Sequence, residues 1–264
     1  MRTRPLLFGV VVAAVAFVQP LHAESLSDLF AQVPAPPADA MTAVHWMDGG
    51  NMVAPPYLAF QQKIAEERAD ILTLNGGEAP NAHEAYAPSP QASAEVQRLA
   101  RAYNGYLSSA SGKDAPVATL TKRTRWVKKA MTGRQVAVTQ KLRSCPDPCQ
   151  DGAAIEHNRP LLQQRQKDLV TEMEMWSAMF ADWKRKRAPV VASAQQSLDA
   201  NAAAADSPEG RAIVARYRAA MLNEISLLFS ITDTAVRRAV AVDHGLDGTE
   251  PDSISGATRK AGKS

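Results

Sequence analysis

Along most of this chain, apolar residues recur at alternating three- and four-residue steps, the period of α-helices with one face turned inward. The clearest stripe is Leu162, Leu169, Met173, Trp176, Phe180 and Trp183, with Gln166 as the only polar residue in its seam. Asn158 reads as its cap and Pro160 as a first-turn proline. The helix runs to at least Arg187, where Pro189 breaks or kinks it, and Val190 to Ala205 is an alanine-rich continuation. Ser207-Pro208-Glu209 opens a last helix by the same cap-then-proline device. Its face holds Val214, Tyr217, Met221, Ile225, Leu228, Thr232, Ala235 and Ala239 until Gly245 offers a left-handed stop.

Three shorter helices are predicted before these. The first spans Pro56 to Leu74, with Leu58, Ile64, Ile71 and Leu72 inward and Asn75-Gly76-Gly77 as the stop. The second is capped by Ser89, with Pro90 next, and carries Val96, Leu99, Tyr103, Tyr106 and Leu107. Asp114 opens the third, whose stripe is Val117, Leu120, Val127, Met131, Val138 and Leu142. No strand pair with a hairpin turn and no repeat of fixed period is present. The pattern therefore predicts an all-α fold: an elongated bundle of four to five long antiparallel helices, coiled-coil-like in its seams, over residues 56–245. Residues 24–55, broken by Pro34, Pro36, Pro37, Gly49, Gly50 and Pro55, form an irregular arm in which Leu26, Leu29 and Phe30 could make one helical turn. Residues 246–264 have no periodic face and read as a disordered tail.

The first residues change the setting of this bundle. Arg2 and Arg4 precede an apolar run from Leu6 to Val18, and Leu21-His22-Ala23 ends in the small residue that signal peptidase requires. Thirteen apolar residues fall short of the roughly 20 that span a bilayer, so residues 1–23 read as a signal peptide cleaved after Ala23, not an anchor. Export to a periplasm is expected, with the extracellular space as the alternative. No later segment has the length and apolarity of a transmembrane helix.

Removing the signal takes Arg2 and Arg4 from 30 basic residues against 27 acidic ones, leaving a formal charge of +1. Overall basicity thus predicts no partner. Distribution does: residues 24–100 hold ten acidic and three basic side chains, whereas 101–143 hold ten basic and one acidic. Within the basic section lie Lys122, Arg123, Arg125, Trp126, Lys128 and Lys129. A second cluster, Trp183, Lys184, Arg185, Lys186 and Arg187, ends the long stripe. Tryptophan favours a boundary with one wet and one apolar side, and adjacent cations suit phosphates there. These residues are the candidate anionic-surface site. Against it stand three structural readings: cations complementing a helix C-terminus, a basic helix neutralised by the acidic first third, and Trp176, Phe180 and Trp183 as plain core.

Other chemistry finds little support. Cys145 and Cys149 in Cys-Pro-Asp-Pro-Cys read as a short disulfide, favoured over a metal site, a redox centre or two free thiols in an oxidising compartment. The histidines at 22, 45, 83, 157 and 244 form no close pair, so no metal site is expected. Covalent haem needs Cys-x-x-Cys-His, which is absent, and Met41, Met173 and Met221 read as packing residues before haem ligands, so no cofactor is expected. No nucleophile elbow or phosphate loop occurs, and Glu172 and Glu174 read as solvated charge. The expectation is a non-enzymatic envelope protein, an adaptor, chaperone or accessory subunit working through protein contacts. Its alternative is a peripheral binder of anionic lipid, lipopolysaccharide or a polyanion.

Overall fold

The computed structural model describes residues 25–47, 54–110, 116–142 and 152–243, all of them helix, turn or loop. The predicted signal peptide (1–23), the predicted Cys145–Cys149 disulfide and the predicted tail (246–264) lie outside the described residues. Seven α-helices follow in order: α1 (Leu26–Gln32), α2 (Ala40–Met47), α3 (Pro55–Leu74), α4 (Ala94–Ala110), α5 (Pro116–Thr139), α6 (Gly152–Ala200) and α7 (Pro208–Asp243). At 1.5 Å per residue α6 is a rod of about 74 Å and α7 one of about 54 Å.

Cross-helix pairs give the directions. Arg187 meets Glu224, Arg238 meets Glu172 and Arg165 reaches the Val242 carbonyl, so α6 and α7 run antiparallel. Arg123–Asp182 and Arg134–Asp168 make α5 antiparallel to α6. Glu67–Arg218 and Tyr57–Asp233 do the same for α3 against α7. On α4, Arg98 bonds Asn201 and Ser109 accepts from Arg187, so α4 also opposes α6. Consequently α4 and α5 follow one another along α6, α4 against its C-terminal part and α5 against its middle.

The axis of the bundle is α7, which packs against every other α-helix. Its sequence promises one apolar face, but burial extends almost all round. Ile213, Ala215, Leu222, Phe229, Ile231 and Val236 join the expected stripe in the core. Among its described side chains only Pro208, Arg211, Asn223 and Arg237 are exposed. A helix apolar on most sides is a core helix. Its start matches expectation: Ser207 Oγ accepts from the Gly210 amide at 3.0 Å. A 3-10 turn, Ala202–Asp206, links it to α6, and a Cβ at Gly210 would collide with the Ala204 carbonyl of that turn.

Several local expectations need correction. The arm is more ordered than its prolines suggest: Ser25 caps α1, and Leu26, Leu29, Phe30, Val33, Ala43 and Val44 all enter the core. Its apolar residues outweigh its breakers. Neither Asn158 nor Pro189 bounds α6, which runs unbroken through Pro160 and Pro189. Both prolines are exposed, and α6 also packs on α7, α5 and α4, so two missing helical hydrogen bonds are tolerated. Ser93, not Ser89, caps α4, its hydroxyl oxygen accepting from the Val96 amide, while Ser89 is held by Glu209 at 2.7 and 3.0 Å. Leu58 and Leu162 are exposed, and Tyr57 and Phe60 take the inward places near the start of α3. The Asn75-Gly76-Gly77 stop holds, with Gly76 and Gly77 at φ 73° and 91° and the Gly77 amide bonding the Leu72 carbonyl at 2.8 Å.

Candidate functional site

On α5, Leu120, Val127, Met131 and Val138 are buried. Lys122, Arg125, Trp126 and Lys129 stand at i, i+3, i+4 and i+7, which places them together on the opposite face. All four are exposed, and the Trp126 residue is 63% accessible, the largest aromatic exposure of the described residues. Lys128, half-buried, flanks this face. Lys122, Arg125, Lys128 and Lys129 have no ion-pair partner among the described residues. Among the described residues α5 packs chiefly on α6, and its ion pairs go to Asp182 and Asp168 of that helix and not to the acidic first third.

Arg123 turns toward α6. Its guanidinium lies 3.9 Å from Asp182, which also takes Arg185 at 2.9 Å and Lys186 at 2.8 Å. The hydrogen bond from Lys186, with Arg185 beside it, holds the Asp182 carboxyl below its ordinary range against the opposing effect of burial. Three cations share one carboxylate, so this junction stays positive. It also lines a groove of about 250 Å³ whose wall includes Leu120, Met179 and Trp183.

The second cluster divides. Arg185 and Lys186 are exposed and belong to this surface. Trp183 is buried and belongs to the core. Lys184 donates to the Ala31 and Val33 carbonyls at 2.6 and 3.3 Å, closing the C-terminal end of α1, and burial lowers its ammonium pKa. Arg187 is removed from the surface: its guanidinium bonds both carboxylate oxygens of Glu224 at 2.6 and 2.9 Å in the interior. Tyr106 adds a 2.7 Å bond to the same carboxylate, and Ser109 accepts from Arg187 at 3.4 Å. Burial, then the charge of Glu224, pushes the Tyr106 phenol well above its ordinary pKa.

Glu172 corrects a second reading. It is buried, not solvated, with Arg238 at 3.0 Å and the Trp176 indole at 3.2 Å on one oxygen, while Glu174 is exposed. Both corrections had a signal in the spacing. Continuing the steps of Trp176, Phe180 and Trp183 lands on Arg187, and Glu172 lies one turn before Trp176. Their partners, Glu224 and Arg238, sit on α7 in steps from Met221 and Ala235. Among the described residues no His, Cys, Asp or Glu group is arranged to hold a metal ion. No described helix is long and apolar enough to cross a membrane.

The fold and the surface define an all-α bundle around a central helix, with a cationic face bearing an exposed indole. No family model matches the chain, and no curated protein or solved structure matches it either.

Proposed function

We propose that this is a non-enzymatic binding protein of the cell envelope that docks peripherally on an anionic membrane through the outer face of α5. The observation that carries this reading is Trp126, exposed among Lys122, Arg125 and Lys129. A large indole left in water is costly unless something covers it, and headgroups flanked by phosphates suit an amphipathic ring between cations. Export completes the reading. A cut after Ala23 leaves one residue, Glu24, ahead of the Ser25 cap of α1.

The adaptor role remains the competing proposal. It rests on long apolar helix faces offered to a partner, whereas the stripes of α6 and α7 are occupied in the core. Cosedimentation of the exported protein with phosphatidylglycerol and phosphatidylcholine vesicles separates the two. The membrane reading expects binding to the anionic vesicles alone, loss on raising salt from 0.05 to about 0.5 M, and loss on Lys122→Gln with Lys129→Gln. Trp126→Ala should weaken what salt does not remove. Vesicle binding indifferent to all three changes sinks the reading, and a crosslinked envelope protein whose capture needs the α5 face would favour the adaptor.

A further inference from the structure

We infer that the groove between α5 and α6 holds the phosphate end of one anionic phospholipid, with Arg123 and Lys186 at its rim and Leu120 and Met179 along its apolar wall. The inference rests on the membrane reading and gives it a specific contact. Charge is the first support. Arg123, Arg185 and Lys186 surround the single carboxylate of Asp182 at 3.9, 2.9 and 2.8 Å, a local excess of two positive charges. All three cations are exposed on their outer sides, so they can turn toward a phosphate without leaving the core.

Shape is the second. The groove encloses about 250 Å³, below the roughly 300 Å³ at which pockets begin to swallow a drug-sized ligand. It therefore suits one end of a molecule, with the remainder outside. Trp183 supplies the third: its indole lines this groove, and its Nε1–H is buried without an acceptor. A phosphate or ester oxygen supplies that acceptor once the unbranched Met179 beside it repacks.

Position is the fourth. Thr119, Arg123 and Trp126 follow at i, i+4 and i+7, so the groove lip and the exposed indole share one side of α5. A lipid in the groove would leave its chains beside Trp126, at the depth where an indole rests in the headgroup layer.

The test uses dihexanoyl-phosphatidylglycerol below its micelle concentration, titrated calorimetrically into the exported full-length protein, with vesicle cosedimentation in parallel. Native protein should take up one lipid saturably. Thr119→Trp fills the exposed lip without changing charge, and Arg123→Gln with Lys186→Gln removes two charges from the rim. Each should weaken monomer uptake by about tenfold or more, with circular dichroism unchanged. Lys122→Gln with Lys129→Gln removes the same charge from the outer face and should leave monomer uptake within about twofold while vesicle binding falls. The groove assignment is overturned if uptake is absent, if Thr119→Trp leaves it untouched, or if inorganic phosphate competes as well as the lipid does. Vesicle binding without monomer uptake defeats the groove alone. Monomer uptake without vesicle binding keeps the groove and defeats the membrane reading.

Discussion

Two buried arginine–glutamate pairs join the same two helices, and they are built to different standards. In the upper layer, where α4 covers α6 and α7, Arg187 engages both oxygens of Glu224, Tyr106 adds a third bond to that carboxylate, and Ser109 accepts from Arg187 Nη1 and Nη2 through its carbonyl and hydroxyl. In the lower layer, where α5 covers them, Glu172 uses one oxygen for both Arg238 and Trp176. Its other oxygen and Arg238 Nη2 are buried without partners. Gln135 of α5, wholly buried and opposite the turn of α6 before Glu172, likewise bonds nothing through its amide. An internal charge is tolerated when its lone pairs and protons are satisfied, and is a liability when they are not. The upper layer is thus fastened by its polar groups and the lower layer held by its apolar ones.

The sharpest way to break this contrast is to remove one partner from the complete pair. Arg187→Met leaves Glu224 charged and buried, with only the Tyr106 hydroxyl to stabilise it. The expected loss is about 3–5 kcal/mol in urea unfolding of the protein. A loss below about 1 kcal/mol would mean that the carboxylate reaches water and that the layer is not closed.

Removing both charges separates the layers next. Arg238→Met with Glu172→Gln keeps an acceptor for Trp176 and discards the unmet charges, so stability should stay level or rise by about 1–4 kcal/mol. The same exchange at Arg187 and Glu224 dismantles a satisfied network and should cost about 2 kcal/mol. Equal signs for the two double variants would end the distinction. Gln135→Met is a smaller version of the lower-layer test. It replaces a partnerless buried amide by a side chain of similar length, for an expected gain of about 1–2 kcal/mol.

The contrast also marks what the sequence could reveal. The stripes on α4, α5 and α6 were legible because helical period and burial coincide: Tyr103, Val127 and Trp176 lie where their spacing puts them. Spacing alone could not show that α7 is enclosed on nearly every side, because a wide apolar face and a central position differ only in how many neighbours arrive. It also could not show that α4 and α5 lie in succession along one rod, which depends on registers such as Arg98–Asn201 and Arg123–Asp182. On the candidate surface, Lys122, Arg125, Trp126 and Lys129 were readable as one outward face. The charge of Arg187 points outward, but its place in the Trp176, Phe180, Trp183 series points inward, and the phase prevails. Asp182 and the groove beside it needed two helices in register, so no reading of either alone could find them.

The smallest expected effect separates the layers by pH. Tyr217 packs against Tyr106 at 5.5 Å between ring centroids, and burial pushes its phenol up to about 12. Tyr106 is likewise raised, by burial and by Glu224, whereas Glu172 and Arg238 have no tyrosine among their bonded partners in the described residues. A phenol with a raised folded-state pKa binds its proton more tightly when folded than when unfolded. The stability it contributes is therefore complete below the unfolded value near pH 10 and is lost as pH climbs toward the folded one. Each such tyrosine steepens the alkaline decline by at most about 1.4 kcal/mol per pH unit. Tyr217→Phe should change stability at pH 7 by less than about 1 kcal/mol and make the decline above pH 10 shallower by about one proton. Glu172→Gln, in the lower layer, should leave that limb unchanged. If the two substitutions flatten it equally, alkaline unfolding does not begin around Tyr106 and Tyr217, and the upper pair is not the pH-sensitive fastening of the bundle.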